Sequence, residues 1–475
     1  MSIGSILNMA RSGMNVQMAA IQTASQNISN ASTDGYSKQS VETATALPTV
    51  FPYGSIGTGV EITGITRARD TLLDTTYRSD AASSSAADTT SSALTQIQSV
   101  FNEPSDTGLS ATLDKFFTAW SDLSNDPTNG AAKSVVVAAG ANVASTLNGF
   151  ASQLNSLDQT NREAINADVD KVNELTGQIA DLNTHIISAE SNGTSANDLR
   201  DERDRLVDQV ASITGGQTVE RSNGSIAVYV GGRMIVDGAT SKQLISNDDA
   251  PPTISYGGGT LPLSGIGGSL GAELNVSGTI IPGTMAKLDT LAKGIVQGVN
   301  AVHSSGTVYS GSPLTGSAAG NFFDQTIPPP AGGDPSLTAA GIKLDASLTS
   351  DTVAASGGSS TGPGDNSVAL AISNLRDTAQ TLTDASGATV ATRSVDDYYT
   401  SIVGDVASST SQANDDSTVQ STLLSNAEAR RQSVSGVSTD EELIDVIQHQ
   451  HSYQAAARLV NVVDDMMQTL VSLGQ

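Results

Sequence analysis

No cysteine occurs in this 475-residue chain, which excludes disulfide scaffolds, zinc–thiolate centres and thiol catalysis. Positive charge is also scarce. There are 23 Lys plus Arg against 49 Asp plus Glu, a formal charge of −26. Nucleic-acid surfaces need clustered Lys and Arg, which no stretch supplies, and anionic membrane surfaces are disfavoured for the same reason. Long apolar runs are missing too: residues 135–139 (VVVAA) are typical of the longest, where about 18 consecutive residues would cross a bilayer. No membrane insertion is therefore expected. The first basic residue, Arg11, falls inside an apolar segment broken by Ser, Gly, Asn and Gln, so a cleavable signal peptide is not expected either.

What the chain does have is small and polar: 63 Ser, 49 Thr and 45 Gly. Its length exceeds one compact core and implies about two to four domains. Residues 2–30 read as an amphipathic helix with Leu7, Ala10, Met14, Gln17, Ile21, Ala24 and Ile28 on a heptad seam, one position of it polar. Ser32-Thr33-Asp34-Gly35-Tyr36 ends it with turn chemistry, Gly35 being suited to positive φ. Helical periodicity returns over 70–101, 108–124, 130–188 and 195–210, the last opening on an expected capping box at Ser195. Between Gly215-Gly216 and about residue 282, short alternating runs separated by Asn-Gly, Gly-Gly and Asp-Gly predict a β domain. A helix follows at 284–303, then Gly/Pro/Ser-rich loops, then helices at 366–382 and 394–430. The final helix opens at Ser438, with Glu441 as its capping-box partner, and carries Leu443, Val446, Ile447, Tyr453, Val460, Val463, Met467 and Leu470.

The expected fold class is a multidomain α+β protein with a terminal α-helical coiled coil, a helical-bundle domain built from both halves of the chain, and an inserted β-rich domain. In order, the segments are an N-terminal coiled-coil helix (1–38), a β connector (39–66), the first part of the helical domain (67–215) and the β-rich insertion (216–282). A returning helix (283–304), a loop and short-strand region (305–365), the second part of the helical domain (366–433) and the C-terminal coiled-coil helix (434–475) complete it.

Chemistry-bearing constellations are few. His449 and His451 are i and i+2 on a helix and share no face, so a metal reading fails and a solvated or interface role is expected. His185 and His303 read as structural. The glycine runs at 54–59 and 257–259 lack Walker spacing and read as β turns. Asp201, Glu202 and Asp204 alternate with Arg200, Arg203 and Arg205, the pattern of a solvated or inter-helix salt-bridge face. No catalytic residue, cofactor or metal ligand is expected. The apolar stripes of the two chain ends must find partners, either each other or other subunits, because an isolated helix depends largely on burial.

Residues 22–39, QTASQNISNASTDGYSKQ, resemble the N-terminal signature of the bacterial flagellar rod, hook and hook-associated axial proteins. Residues 435–473 resemble their C-terminal signature. Within that family, Arg67-Ala68-Arg69-Asp70, Leu72-Leu73-Asp74, Tyr77-Arg78, residues 179–183 (IADLN) and residues 197–204 (NDLRDERD) are similar to the hook-associated member of the hook–filament junction. One departure is Asp34, where the family commonly has Pro; Asp is a good turn residue, so the bend is expected to survive. The resemblance implies a non-enzymatic adaptor exported unfolded through the flagellar type III apparatus, located outside the cell. It implies a ring of copies with Leu7, Met14, Ile21, Ile28, Tyr36 and the C-terminal stripe in subunit contacts. The implied partners are hook protein, the next hook-associated protein, and a cytosolic export chaperone at the C-terminal helix. The alternatives are a hook or distal-rod protein and, from another class, a surface adhesin or enzyme acting through the β insertion.

Overall fold

The computed structural model describes residues 3–51, 54–191, 193–257, 259, 262–310, 315–325, 337–358 and 362–473. Among the described residues, ten α-helices carry the architecture: α1 (Ile3–Asn30), α2 (Thr71–Phe101), α3 (Leu109–Asn125), α4 (Gly130–Glu190), α5 (Asn197–Thr214), α6 (Gly268–Asn275), α7 (Ile281–His303), α8 (Ser367–Asn374), α9 (Val395–Ser435) and α10 (Thr439–Leu473). The strands are β1 (Gln39–Thr45), β2 (Thr49–Phe51), β3 (Gly54–Ile56), β4 (Val60–Arg67), β5 (Gln217–Glu220), β6 (Ile226–Val230), β7 (Arg233–Asp237), β8 (Thr240–Ser241), β9 (Leu244–Asn247), β10 (Thr253–Tyr256), β11 (Thr307–Ser310), β12 (Thr315–Ala318), β13 (Gln380–Thr383) and β14 (Thr389–Arg393). The chain is thus mostly helical with small antiparallel sheets. Strands β5 to β8 form a four-stranded meander, and the rest pair two by two, β1 with β4 and β2 with β3 among them.

Both halves of the chain build the main bundle. Helices α2 and α9 pack along each other, and α2 buries several small residues, Ala81, Ala82 and Ser84 among them. The main core joins residues of α3, the first part of α4, α7, α8 and α9. Six of the seven phenylalanines and the single tryptophan lie in it. Phe116, Trp120, Phe322 and Phe323 meet with ring centroids 5.0–6.4 Å apart in edge-on or tilted pairs, the favoured aromatic geometry. His303 is fully buried here, its Nδ1 donating to the Gly320 carbonyl at 2.8 Å and its Nε2 accepting from the Ala354 N–H at 3.1 Å. It is structural, as its single occurrence at a helix end implied.

Helix α4 is the spine. At 61 residues it is about 90 Å long, and it serves two cores. Val136 to Leu154 fill the aromatic core, while Ile165 to Ile179 cover the β meander and α5 in a second core. A stretch of α4 is long and apolar enough to cross a bilayer by composition. Its apolar side is spent on these cores instead, which is why no uninterrupted apolar run marks it. Asparagines peg other segments onto the spine: Asn148 donates to the Ala339 carbonyl, Asn161 to that of Glu273, Asn173 to that of Leu244, and Asn183 to those of Ile226 and Gly238. Each peg satisfies backbone groups that would otherwise be costly to bury.

Three local expectations change. Strands end at Tyr256, and Gly268 starts a helix that runs through a π-helical turn at Val276–Ile280 into α7. The expected helix at 366–382 stops at Asn374, and residues 380–393 form the β13–β14 hairpin instead, with Gly387 at φ +83° in its turn. The β-branched run around Val390 and the Ser-Gly turn outweigh helical spacing there. Helix α5 has Ala196 at its N-cap with no side-chain cap; Glu190 accepts the Ala196 N–H at 2.9 Å instead of Ser195 closing a box.

Candidate functional site

The two ends of the chain pack together as an antiparallel pair, α1 against α10. Asn27, near the end of α1, donates to Glu442, near the start of α10, at 2.9 Å. Farther back along α1, Gln17 lies 2.6 Å from His449 Nδ1. The polar position of the α1 seam is thus matched by a polar partner, a pairing that fixes register at some cost in stability.

Most of what the pair buries is small or polar: Ala10, Thr23, Ala24 and Asn27 on α1, Glu442 and Val463 on α10. Met14, Ile21, Ile28, Val446, Tyr453 and Val460 are half-buried, as is Tyr36 in the turn after α1. Leu7, Leu443, Ile447 and Met467 are exposed, as are Ile444, Leu459, Val462 and Met466. Leu470 belongs to α10, and its side chain lies outside those described. A two-helix pair covers one face of each helix; the remaining apolar face of α10 is covered by nothing among the described residues.

A polar junction ties this pair to the body. Gly35 takes φ +78°, the left-handed region that favours glycine, so the expected bend forms with Asp34 in place. The returning chain then locks onto α1. Tyr36 Oη donates to Asn27 Oδ1 at 2.8 Å, the Gln39 N–H donates to the same oxygen at 3.0 Å, and Asn27 Nδ2 donates to the Gln39 carbonyl at 2.9 Å. Lys38 pairs with Glu442 at 2.8 Å, and its backbone N–H donates to the Ser435 carbonyl at 2.8 Å. Asn27, Tyr36, Lys38 and Gln39 come from the N-terminal signature, Ser435 and Glu442 from the C-terminal one. The two signatures are one interlocked object. Burial, with Asp198, Asp201 and Glu442 close by, pushes the Tyr36 phenol up to about 12, so it stays a hydrogen-bond donor.

Beneath the junction, the carboxylates of α5 meet arginines that run from the end of β4 into α2. Arg67 contacts Asp201 at 2.6 Å and Asp204 at 3.0 Å; Arg69 contacts Asp74 at 2.8 Å and Asp204 at 3.4 Å. Arg78 and Arg431 both grip Asp208 at 2.6 Å, and Arg431 stacks over the Tyr77 ring with Cζ 3.6 Å from its centroid. Ser37 donates to Asp201 through its backbone N–H at 3.0 Å and its hydroxyl at 2.8 Å. Burial opposes ionisation of Asp204, yet the guanidiniums of Arg69, Arg67, Arg203 and Arg78 hold its carboxyl below the ordinary carboxylate value. Arg203 points the other way: fully buried, it donates to Asn183 and the Gly224 carbonyl, and burial lowers its guanidinium to about 10.

The alternating charges of 200–205 are therefore an inter-helix salt-bridge face, the second of the two senses expected, and it is largely buried. The two internal motifs around Arg67 and Asp201 turn out to face each other. Sequence reasoning did not pair them, nor find the roles of Asn27 and Glu442. The one local signal was Gln17 on an otherwise apolar seam, and it pointed to the His449 contact rather than to Asn27 and Glu442. In this arrangement Asp201, Asp204 and Asp208 are each paired with fixed arginines. Among the described residues no cluster of His, Asp and Glu could hold a metal ion. A cleft of about 630 Å³ lies between the 31–37 turn, α5 and the end of α9, lined by side chains of both signs.

The comparisons with known proteins agree with this geometry. Residues 430–473 match the family described as flagellar basal body rod FlgEFG protein C-terminal, and residues 94–323 match the flagellar hook-associated protein FlgK helical domain. The first match defines the class: an axial protein of the bacterial flagellum. The chain is 31% identical to flagellar hook-associated protein 1 of Bacillus subtilis, over 98% of this chain and 97% of that protein. It is 25% identical to the Escherichia coli protein of the same name, over 99% of this chain and 100% of that one. The structure of the flagellar hook junction protein FlgK from Burkholderia pseudomallei superposes with a TM-score of 0.65 at 17% identity, covering 76% of this chain and 100% of that one, a likeness of fold. The chain belongs to the flagellar hook-associated protein 1 family, whose members are structural components of the flagellum and not enzymes.

Proposed function

We propose that this chain is the subunit that joins the flagellar hook to the filament, held in the axial structure by its paired ends. The observation that carries this reading is the contrast between a closed aromatic core in the body and an α1–α10 pair whose large apolar side chains stand exposed. Burying a Leu, Ile or Met is worth about 1.5–3 kcal/mol, so a handful meeting other subunits supplies a stable contact. Leu7, Met14, Ile21 and Ile28 of α1, with Leu443, Val446, Ile447, Tyr453, Val460 and Met467 of α10, are the residues of that contact; Val463 serves the pairing within the chain, and Tyr36 sets the bend. Copies form a ring, with hook protein below and the next hook-associated protein above.

Export precedes assembly. The chain is threaded unfolded through the type III apparatus, a route that absent cysteine suits, and the stripe beginning at Leu443 offers a helix-in-groove docking surface for a cytosolic chaperone. Electron microscopy of a deletion strain tests the reading. Complete hooks without filaments, with filament subunits shed into the medium, are expected. Loss of the hook itself would assign the chain to the hook or distal rod instead.

A further inference from the structure

The ribbon β1–β4 runs beside α1, and beyond it the short hairpin β2–β3 projects. Its base is fixed where Gly59 approaches α1: a Cβ there would stand 3.4 Å from the Met9 Cα and collide with the Ser12 hydroxyl. The β2–β3 strands pair with each other, and among the described residues no helix packs extensively on them. In a chain of charge −26, no charged residue occurs between Glu42 and Glu61. Leu47 is 88% and Val50 78% exposed. An uncharged, apolar hairpin left open in this way invites association.

A second uncovered apolar surface lies at the same end of the pair. The Asn27–Glu442 and Gln17–His449 contacts set the antiparallel register, so Met9 and Ser12 lie toward the C-terminal half of α10. On that half Leu459, Val462 and Met466 are exposed at helical spacing, while Val463 faces inward. Only Asp464 and Asp465 are charged between residues 459 and 473. Two different apolar surfaces on one chain, neither covering the other, are what a head-to-tail contact between identical copies requires.

We propose that the hairpin of one copy, through Leu47 and Val50, seats on the outer face of α10 of a second copy, at Leu459, Val462 and Met466. The proposal rests on the self-assembly reading above and adds which surface meets which. The occupant is a second copy because the hairpin is uncharged and the α10 half carries only Asp464 and Asp465 in an otherwise acidic chain, and because the hairpin continues the α1–α10 surface assigned to assembly.

A cysteine-free chain allows a direct test. Leu47→Cys and Val462→Cys are introduced together, and flagella from a complemented deletion strain are oxidised. Cross-linked dimers and longer ladders are expected with both cysteines and not with either alone. Attached filaments without a ladder would overturn the proposal and leave the junction reading standing. So would cross-linked dimers from a single variant, which means like meets like, or an internal link within one chain. If the pair does not support filaments, Val50→Cys with Met466→Cys gives the same readouts. Independently, Leu47→Ser with Val50→Ser should cut filament retention under shear several-fold with the Tm of the free chain unchanged; unchanged retention overturns the proposal. Filaments attached normally in the deletion strain would defeat the junction reading itself, a separate result.

Discussion

In the body, six of the seven phenylalanines and the single tryptophan close into one core, whereas the paired ends bury alanine, threonine, asparagine and glutamate and leave leucine, isoleucine and methionine in the open. The body is stabilised by what it hides. The ends hold their register through hydrogen bonds and leave apolar surface exposed. In the junction subunit proposed above, the closed core would keep the chain folded while the open seam joined its neighbours. Between the two lies the arginine–carboxylate junction, where buried charges are matched so closely that the ends and the body share one anchor.

The sharpest way to separate the regions is to damage the core alone. Trp120→Ala empties the centre of the aromatic cluster and should destabilise the body by about 3–5 kcal/mol, read as a fall in Tm. An unchanged Tm would mean the core is not where stability resides. Cutting the anchor comes next. Asp201→Ala leaves Arg67 without its shortest ion pair and Ser37 without its acceptor, and breaking such a pair costs about 3 kcal/mol. Amide exchange should quicken at residues 35–39 and 65–70 before it does in α3 or α7; uniform exchange would show the regions are not distinct.

Buried charge in the body behaves differently from that in the junction. Glu273 is buried with Oε2 lacking a partner among the described residues, and burial, reinforced by Asp168, raises its carboxyl from 4.5 to about 8. The folded chain therefore holds a proton that the unfolded chain releases above pH 4.5, and this contribution to stability is lost as pH rises toward 8. Glu273→Gln should flatten that decline and stabilise the protein at pH 8 by on the order of 1–3 kcal/mol, as denaturant midpoints across pH would show. A variant with the parent's pH slope would rule this out. The smallest effect on the free chain concerns the open seam: Leu443→Ala with Ile447→Ala should shift monomer stability by less than about 0.5 kcal/mol each and still weaken assembly. If sedimentation and filament attachment both stay normal, the exposed α10 face does not serve as the contact.

Much of the scaffold was legible in the residues. Heptad spacing located α1 and α10, the run of apolar positions from Leu147 to Ile186 located α4, and Gly35 marked the bend. The end of the expected 366–382 helix misled because a few apolar positions near Leu382 fit a helical period as well as an alternating one. The capping residues at 195–198 misled because Glu190, on the preceding helix, supplies the acceptor. The junction was present in the sequence as separate motifs, and nothing local joined Arg67 to Asp201 or Asn27 to Glu442.

Periodicity, turn chemistry and composition are properties of neighbouring residues, so the chain's own order determined the long helices, the bend at Gly35, the absence of thiol chemistry and the apolar stripes at both ends. Which face of each stripe turns inward was decided only in three dimensions. Asn27 and Glu442 stand 415 positions apart, and such contacts depend on where the whole fold brings the ends. The same holds for the division of α4 between two cores and for the neutralisation of α5 by distant arginines, because burial and charge matching are set by packing and not by spacing along the chain.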